Sequence, residues 1–255
     1  MRYPKDVRYP RRHLVLCALA CAVLGACSQN KGPATSAYLR ACGALTAKLA
    51  GQVHDLPAIA PPARPTLAPD PTPDQQRVFD GLTRIYPLYV NQYYAAVIER
   101  SRVMTQLCRQ TLDDIGALNA AGVDPAGVQL MSVEAQAIDR RRDFFDELHR
   151  LADLSQTALV RRKAVDDADE LLVGAFKAAV GGGDAAAVAG GLKDAAAAVS
   201  RRPGEPPGVA EQIARVMERA ARLQQGVAAD EAERSRLAAD LRARYPGEDL
   251  GASGR

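Results

Sequence analysis

The sequence predicts an all-α protein, an elongated bundle of four or five helices. Three observations lead there. Apolar residues recur every three or four positions over long segments, which is the period of a helix with one buried face. Ala, Leu, Arg, Glu and Asp dominate, aromatics make up 5% and Trp is absent, a mixture that favours helix over sheet. Proline and glycine gather at a few places, around residues 57–73, 122–125, 181–183 and 203–208, where helices should stop.

Residues 1–26 read as a processing signal. Arg2, Lys5, Arg8, Arg11 and Arg12, against the single acid Asp6, precede an apolar run from Leu14 to Ala26. That run is short of the about 20 residues that a bilayer span needs. A basic start, a short apolar core and small residues before a break describe a cleaved secretory signal. The run ends in Leu24-Gly25-Ala26-Cys27, which resembles the lipobox of bacterial lipoproteins: Leu, a small residue, Gly or Ala, then Cys. The resemblance covers residues 1–28 only. It implies cleavage before Cys27, acylation of the Cys27 thiol and of the new amino group, and a chain held on a membrane by lipid. Cys17 and Cys21 lack the residues that should precede a lipobox cysteine, and would leave with the leader. Two or more acyl chains, at about 0.8 kcal/mol per buried methylene, hold a protein on a bilayer where a single chain does so marginally. Residue 28 is Ser, not the Asp that favours inner-membrane retention in enterobacterial members. The resemblance therefore implies the periplasmic face of the outer membrane.

After a lipidated tether, residues 27–34, a first helix is expected over 35–54. Residues 55–74 hold seven prolines, so they form a stiff extended connector rather than helix or central strand. It can lie along a surface or act as a spacer. A helical bundle domain is expected over 75–245. Thr72-Pro73-Asp74 opens its first helix with capping residues, and Leu82, Ile85, Tyr89, Tyr93, Val97, Met104, Cys108, Leu112 and Ile115 follow at helical spacing. Pro87 should kink or split this helix near Tyr86. Gly122 ends the segment and Asp124-Pro125 caps the next. That next segment runs to about Val180 as one long helix, with a blurred stripe at residues 160–170. "GGGD", Gly181 to Asp184, ends it, and a short Ala-rich helix reaches Ser200. From Val209 to Leu241 the apolar spacing alternates four and three, a heptad seam. Asp230 and Arg234 sit on that seam four apart, where they can pair on one helix. Residues 246–255 read as a flexible tail.

Cys42 and Cys108 remain as an even pair after export to an oxidising compartment. Cys42 shares a face with Leu39, Leu45 and Leu49, and Cys108 with Met104, Leu112 and Ile115, so both should point inward. A disulfide between them is expected, worth on the order of 4 kcal/mol in the chain-entropy model. Two buried free thiols are the alternative.

The net charge of +3 over the whole chain belongs to the leader. Residues 1–26 hold five of the 33 bases and one of the 30 acids, which leaves 28 bases against 29 acids, net −1. Nucleic-acid binding has no support in that balance. No catalytic motif occurs in a usable setting, and neither a metal nor a cofactor is expected. "DELH", Asp146 to His149, is half of a helical metal site, and a di-metal bundle needs a second such pair. "GGGDAAAVAGG" lacks the Lys and hydroxyl of a phosphate-binding loop. "IYPLYVNQYY", Ile85 to Tyr94, holds four of the six tyrosines after residue 27. Tyr86, Tyr89, Tyr93 and Tyr94 therefore form the candidate partner surface, with ordinary packing as the other reading. The function class expected is a non-enzymatic interaction or scaffolding lipoprotein with a protein partner. A periplasmic immunity or inhibitor protein is the alternative, and an envelope hydrolase is a third class that would need convergent acids the sequence does not assemble.

Overall fold

The computed structural model describes residues 31–202 and 207–250, so the expected leader, Cys27 and the last five residues lie outside the described residues. Among the described residues there are six helices and no strand: α1 Gly32–His54, α2 Pro73–Gly116, α3 Pro125–Arg162, α4 Asp167–Val180, α5 Ala185–Ser200 and α6 Pro207–Arg244. The all-α expectation holds. All six belong to one compact unit that begins at Gly32.

Helices α2, α3 and α6 are the long members, and α3 packs against both others. Thr105 of α2 bonds Asp146 of α3 at 3.1 Å, while Gln156 further along α3 reaches the carbonyl of Asn91, earlier on α2. The two are antiparallel. Arg219 pairs with Glu147 and Arg234 with Glu134, so α6 runs antiparallel to α3 as well. The remaining flank is shared by two short pieces. Helix α1 runs antiparallel to the C-terminal half of α2: Thr35 sits by Asp124, Lys48 is 4.0 Å from Asp114, and Pro57 is met by Arg100. The α4–α5 hairpin occupies the stretch beyond it, with its turn beside the end of α1.

One pole gathers the start of α1, the end of α2, the start of α3 and the end of α6. There Thr35 Oγ1 accepts the Asp124 backbone N–H at 2.9 Å, Ser36 Oγ donates to the Asp249 carbonyl, and the Tyr245 hydroxyl donates to Asp124 at 2.8 Å. Leu250 is buried with Leu39, Cys42, Leu130, Met131 and Leu241. The segment expected to be a flexible tail thus docks as far as Leu250, because an apolar side chain at 250 has a cluster to join. Gly127 is needed here: a Cβ on it would stand 2.9 Å from Thr35 Cγ2.

Two further expectations change. Residues 124–180 are two helices, not one. Lys163 takes the left-handed conformation, φ 58°, and ends α3, while Asp166 starts α4 with a capping box closed by Asp169. Two reciprocal side-chain bonds to orphan N–H groups win over continued helix. Pro87, by contrast, does not split α2, which is helical from Pro73 to Gly116. The connector lies along the surface: Arg100 holds the Pro57 carbonyl at 2.6 Å, Arg64 holds Asp167 at 2.9 Å, and Leu56 and Ile59 pack on the core.

The α6 seam is real, with Ile213, Val216, Ala220, Val227, Leu237 and Leu241 buried. Its two charges pair across to α3 instead of with each other. Asp230 meets Arg140 at 3.1 Å and Arg234 meets Glu134 at 3.0 Å. Both side chains face the neighbouring helix, where an oppositely charged partner is offered directly.

Candidate interaction site

The four candidate tyrosines separate. Tyr86, Tyr93 and Tyr94 are buried and only Tyr89 is exposed. The buried three tie α2 to α4. The Tyr86 hydroxyl donates to Glu170 at 2.7 Å and that of Tyr93 reaches the Val173 carbonyl at 3.5 Å. Tyr94 stacks edge-on against Phe176, centroids 5.7 Å apart, with its hydroxyl 3.4 Å from Asp169. Desolvation by burial raises the pKa of all three, that of Tyr93 to about 12, so they stay neutral donors.

Beneath them lies a buried charge cluster. Asp169 binds Arg162 at 2.8 Å and Arg202 at 3.0 Å, and Arg202 also binds Asp166. Burial raises the Asp169 pKa against the pull of both arginines. At Asp166 burial also raises, but the bond from the Asp169 N–H and the Arg202 charge win, and the pKa falls. With two cations and two anions, the cluster clamps the α3–α4 break to the end of α5.

What the tyrosine segment leaves outside is a different set. Val78 is 62% exposed, Leu82 45%, Ile85 41%, Leu88 55% and Tyr89 47%. Val78, Leu82, Ile85 and Tyr89 follow one another by four, three and four residues, the spacing of a helix-pairing seam. They lie on the N-terminal end of α2, where Tyr86 is the sole buried residue between Pro73 and Tyr89. Beside them a groove of about 440 Å³ runs between the connector and the helix, lined by Leu67, Ala68, Val78, Phe79 and Leu82 with Asp74 and Gln75 at its edge. The sequence did contain this signal, since Leu82, Ile85 and Tyr89 were in the expected stripe; what it lacked was the face.

A second concavity of about 590 Å³ lies where α1 meets the α4–α5 turn. Its floor is apolar, with Leu49, Met104, Cys108, Ile138, Phe145 and Val227, and the ion pairs Arg141–Glu231 and Arg234–Glu134 bound it. "GGGD" supplies one wall. There Gly182 takes φ +76° and Asp184 accepts the Ala186 and Ala187 N–H groups at 3.0 Å each, so its carboxylate occupies the helix N-terminus where an anion would otherwise sit.

Cys42 and Cys108 both face inward, but they are free thiols. Cys42 belongs to the small cluster at the pole and Cys108 to the main core, so the expected bridge is not made. Burial pushes each thiol up to about 11. Asp146 of "DELH" is engaged by Thr105 and Arg109, and no group of three metal-capable side chains occurs among the described residues. No helix among them is long and apolar enough to cross a membrane. No protein-family model, curated protein or solved structure matches the chain.

Proposed function

We propose that this chain is a lipid-anchored lipoprotein of the bacterial envelope, non-enzymatic, which presents the exposed seam of α2 to a helical protein partner. The observation that carries the reading is the seam itself: Val78, Leu82, Ile85 and Tyr89, left in water at heptad spacing. A contiguous exposed apolar patch of this kind marks an interaction site. The lipobox ending in Cys27 supplies the anchor, with the periplasmic face of the outer membrane as the favoured location. The chain leads into its helical unit at Gly32, at the pole opposite the seam. From Gly116, at that pole, back to Tyr89 is about 40 Å at 1.5 Å per residue. An inhibitor role would be better served by an aromatic face, and three of the four tyrosines are inside.

Two variants test the reading. Cys27→Ser should lose lipid labelling and leave an uncut or soluble form; a processed chain that still resists carbonate extraction overturns the anchor. Ile85→Asp should release whatever co-purifies with the crosslinked wild-type protein, while its thermal midpoint stays at the wild-type value. Unchanged co-purification overturns the seam.

A further inference from the structure

We infer that the concavity of about 590 Å³ between α1 and α6 is a binding site for an uncharged amphiphile, held at its polar end by the side-chain amide of Gln224. The site is separate from the α2 seam and stands without it.

Small side chains open the space. Gly43, Thr46, Ala47 and Ala50 of α1 line it, at steps of three, one and three residues, which is one face of a helix. A helix face turned toward a bundle ordinarily carries large apolar residues. This one carries none, and the gap between α1 and α6 stays open over Met104, Cys108 and Ile138. Small-molecule sites have volumes of about 300–1,000 Å³ and are mostly apolar, with a few polar groups that fix orientation. The concavity fits that description.

Gln224 supplies the polar group. It lines the concavity from α6 and is 8% exposed. Among the described residues its side-chain amide has no hydrogen-bond partner. An amide brings one acceptor and two donors, and a buried one left unpaired carries its full desolvation penalty. Its neighbours on the same face of α6, Ala220, Ala221 and Val227, are buried and apolar, so packing alone would be served by a leucine. Thr46 spends its proton on the Gly43 carbonyl at 3.1 Å, which leaves Gln224 to donate. The ligand group that completes Gln224 must both donate and accept, as an amide or a hydroxyl does.

The charged groups of the lining are already matched. Arg234 holds Glu134 at 3.0 Å, Arg141 holds Glu231, and Asp184 accepts the Ala186 and Ala187 N–H groups. A charged ligand group entering the apolar floor would lose its water and find no unmatched counter-charge, which lowers its affinity. An uncharged one meets no such penalty.

The test uses the full chain carrying Cys27→Ser, kept free of detergent, with N-phenylnaphthylamine, an uncharged fluorophore that brightens in apolar surroundings. Decanamide should reverse the brightening, and decanoate should need at least about tenfold more to do so. Ala47→Phe, at an exposed position on the α1 wall, should abolish the decanamide-sensitive signal at an unchanged melt, whereas Ile85→Asp should keep it. Gln224→Leu should still bind the fluorophore, weaken decanamide about fivefold, and melt no lower than the parent chain, since the unpaired amide is gone. No decanamide-sensitive signal, or one that survives Ala47→Phe, overturns the site. Decanoate as effective as decanamide overturns the uncharged class of ligand. Decanamide unchanged in Gln224→Leu overturns the role of the amide.

Discussion

From Val90 to Ile115, helix α2 turns Val90, Tyr93, Tyr94, Val97, Met104 and Cys108 into the core, each less than 4% exposed. From Val78 to Tyr89 the same helix, uninterrupted at Pro87, holds five apolar residues out in water. Both halves carry large apolar side chains at helical spacing. They differ in what lies alongside: the C-terminal half has α3, α1 and α4 against it, whereas the N-terminal half meets the connector and, at Tyr86, the start of α4. Periodicity reports that a helix has an apolar face. Whether that face is a core or an interface depends on where the neighbouring helices stop.

The boundary between the halves falls between two adjacent residues, which makes it easy to break. Val90→Asp places an unpaired carboxylate in the core. It should cost on the order of 5 kcal/mol, enough to unfold a domain of ordinary stability, as read by a chemical denaturation curve. Tyr94→Ala should cost about 3–5 kcal/mol, the range for emptying a buried aromatic, whereas Tyr94→Phe should cost about 1, because the hydroxyl bond it removes is long at 3.4 Å. If Tyr94→Ala melts like wild type, the tyrosine belt is not the hinge between α2 and α4. Asp230→Leu removes the buried member of a pair, 10% exposed, whose other member Arg140 is 30% exposed and keeps the Gly226 carbonyl at 2.7 Å. A change within about 1 kcal/mol is expected, because the guanidinium left behind keeps solvent and a carbonyl, unlike the fully buried charge whose partner's removal is strongly destabilising. Tyr89→Asp is the smallest effect on the fold, within about 0.5 kcal/mol, although it should release the partner that the exposed seam binds. A large loss of stability from Tyr89→Asp would place that side chain in the core and remove the difference between the halves.

Much of this architecture is readable from residues alone. The helix starts at Thr72-Pro73 and Asp124-Pro125 were legible because capping is local: a side-chain oxygen and an N–H two or three positions later decide it. The seam of α6 was legible because its alternation of four and three holds on one face for more than 30 residues. The stripe on α2 misled for a geometric reason. The steps Ile85, Tyr89, Tyr93, Val97 are all of four residues, and each advances the stripe by 40° around a helix of 3.6 residues per turn. Over the three steps it swings by about 120°. A line of apolar letters therefore walks from the exposed face to the buried one, and the stripe includes the exposed Tyr89 while it leaves out Tyr86 and Tyr94, which the fold buries. The clamp of Arg162, Arg202, Asp166 and Asp169 left no comparable trace, because its members lie up to 40 positions apart in sequence and meet only when α4 folds back on α5.

The sequence by itself determined the class of fold, the ends of most helices and the extended connector, because each is set by interactions within a few residues along the chain. Tertiary structure decided the rest. It chose which tyrosines are core and which one is surface. It paired Asp230 and Arg234 with α3 instead of with each other, put Cys42 and Cys108 in separate clusters, and docked Leu250. Each of these outcomes depends on which neighbour covers a face, and neighbours are chosen by packing between segments far apart in sequence, where the gain from burying apolar surface outweighs any local preference of the chain.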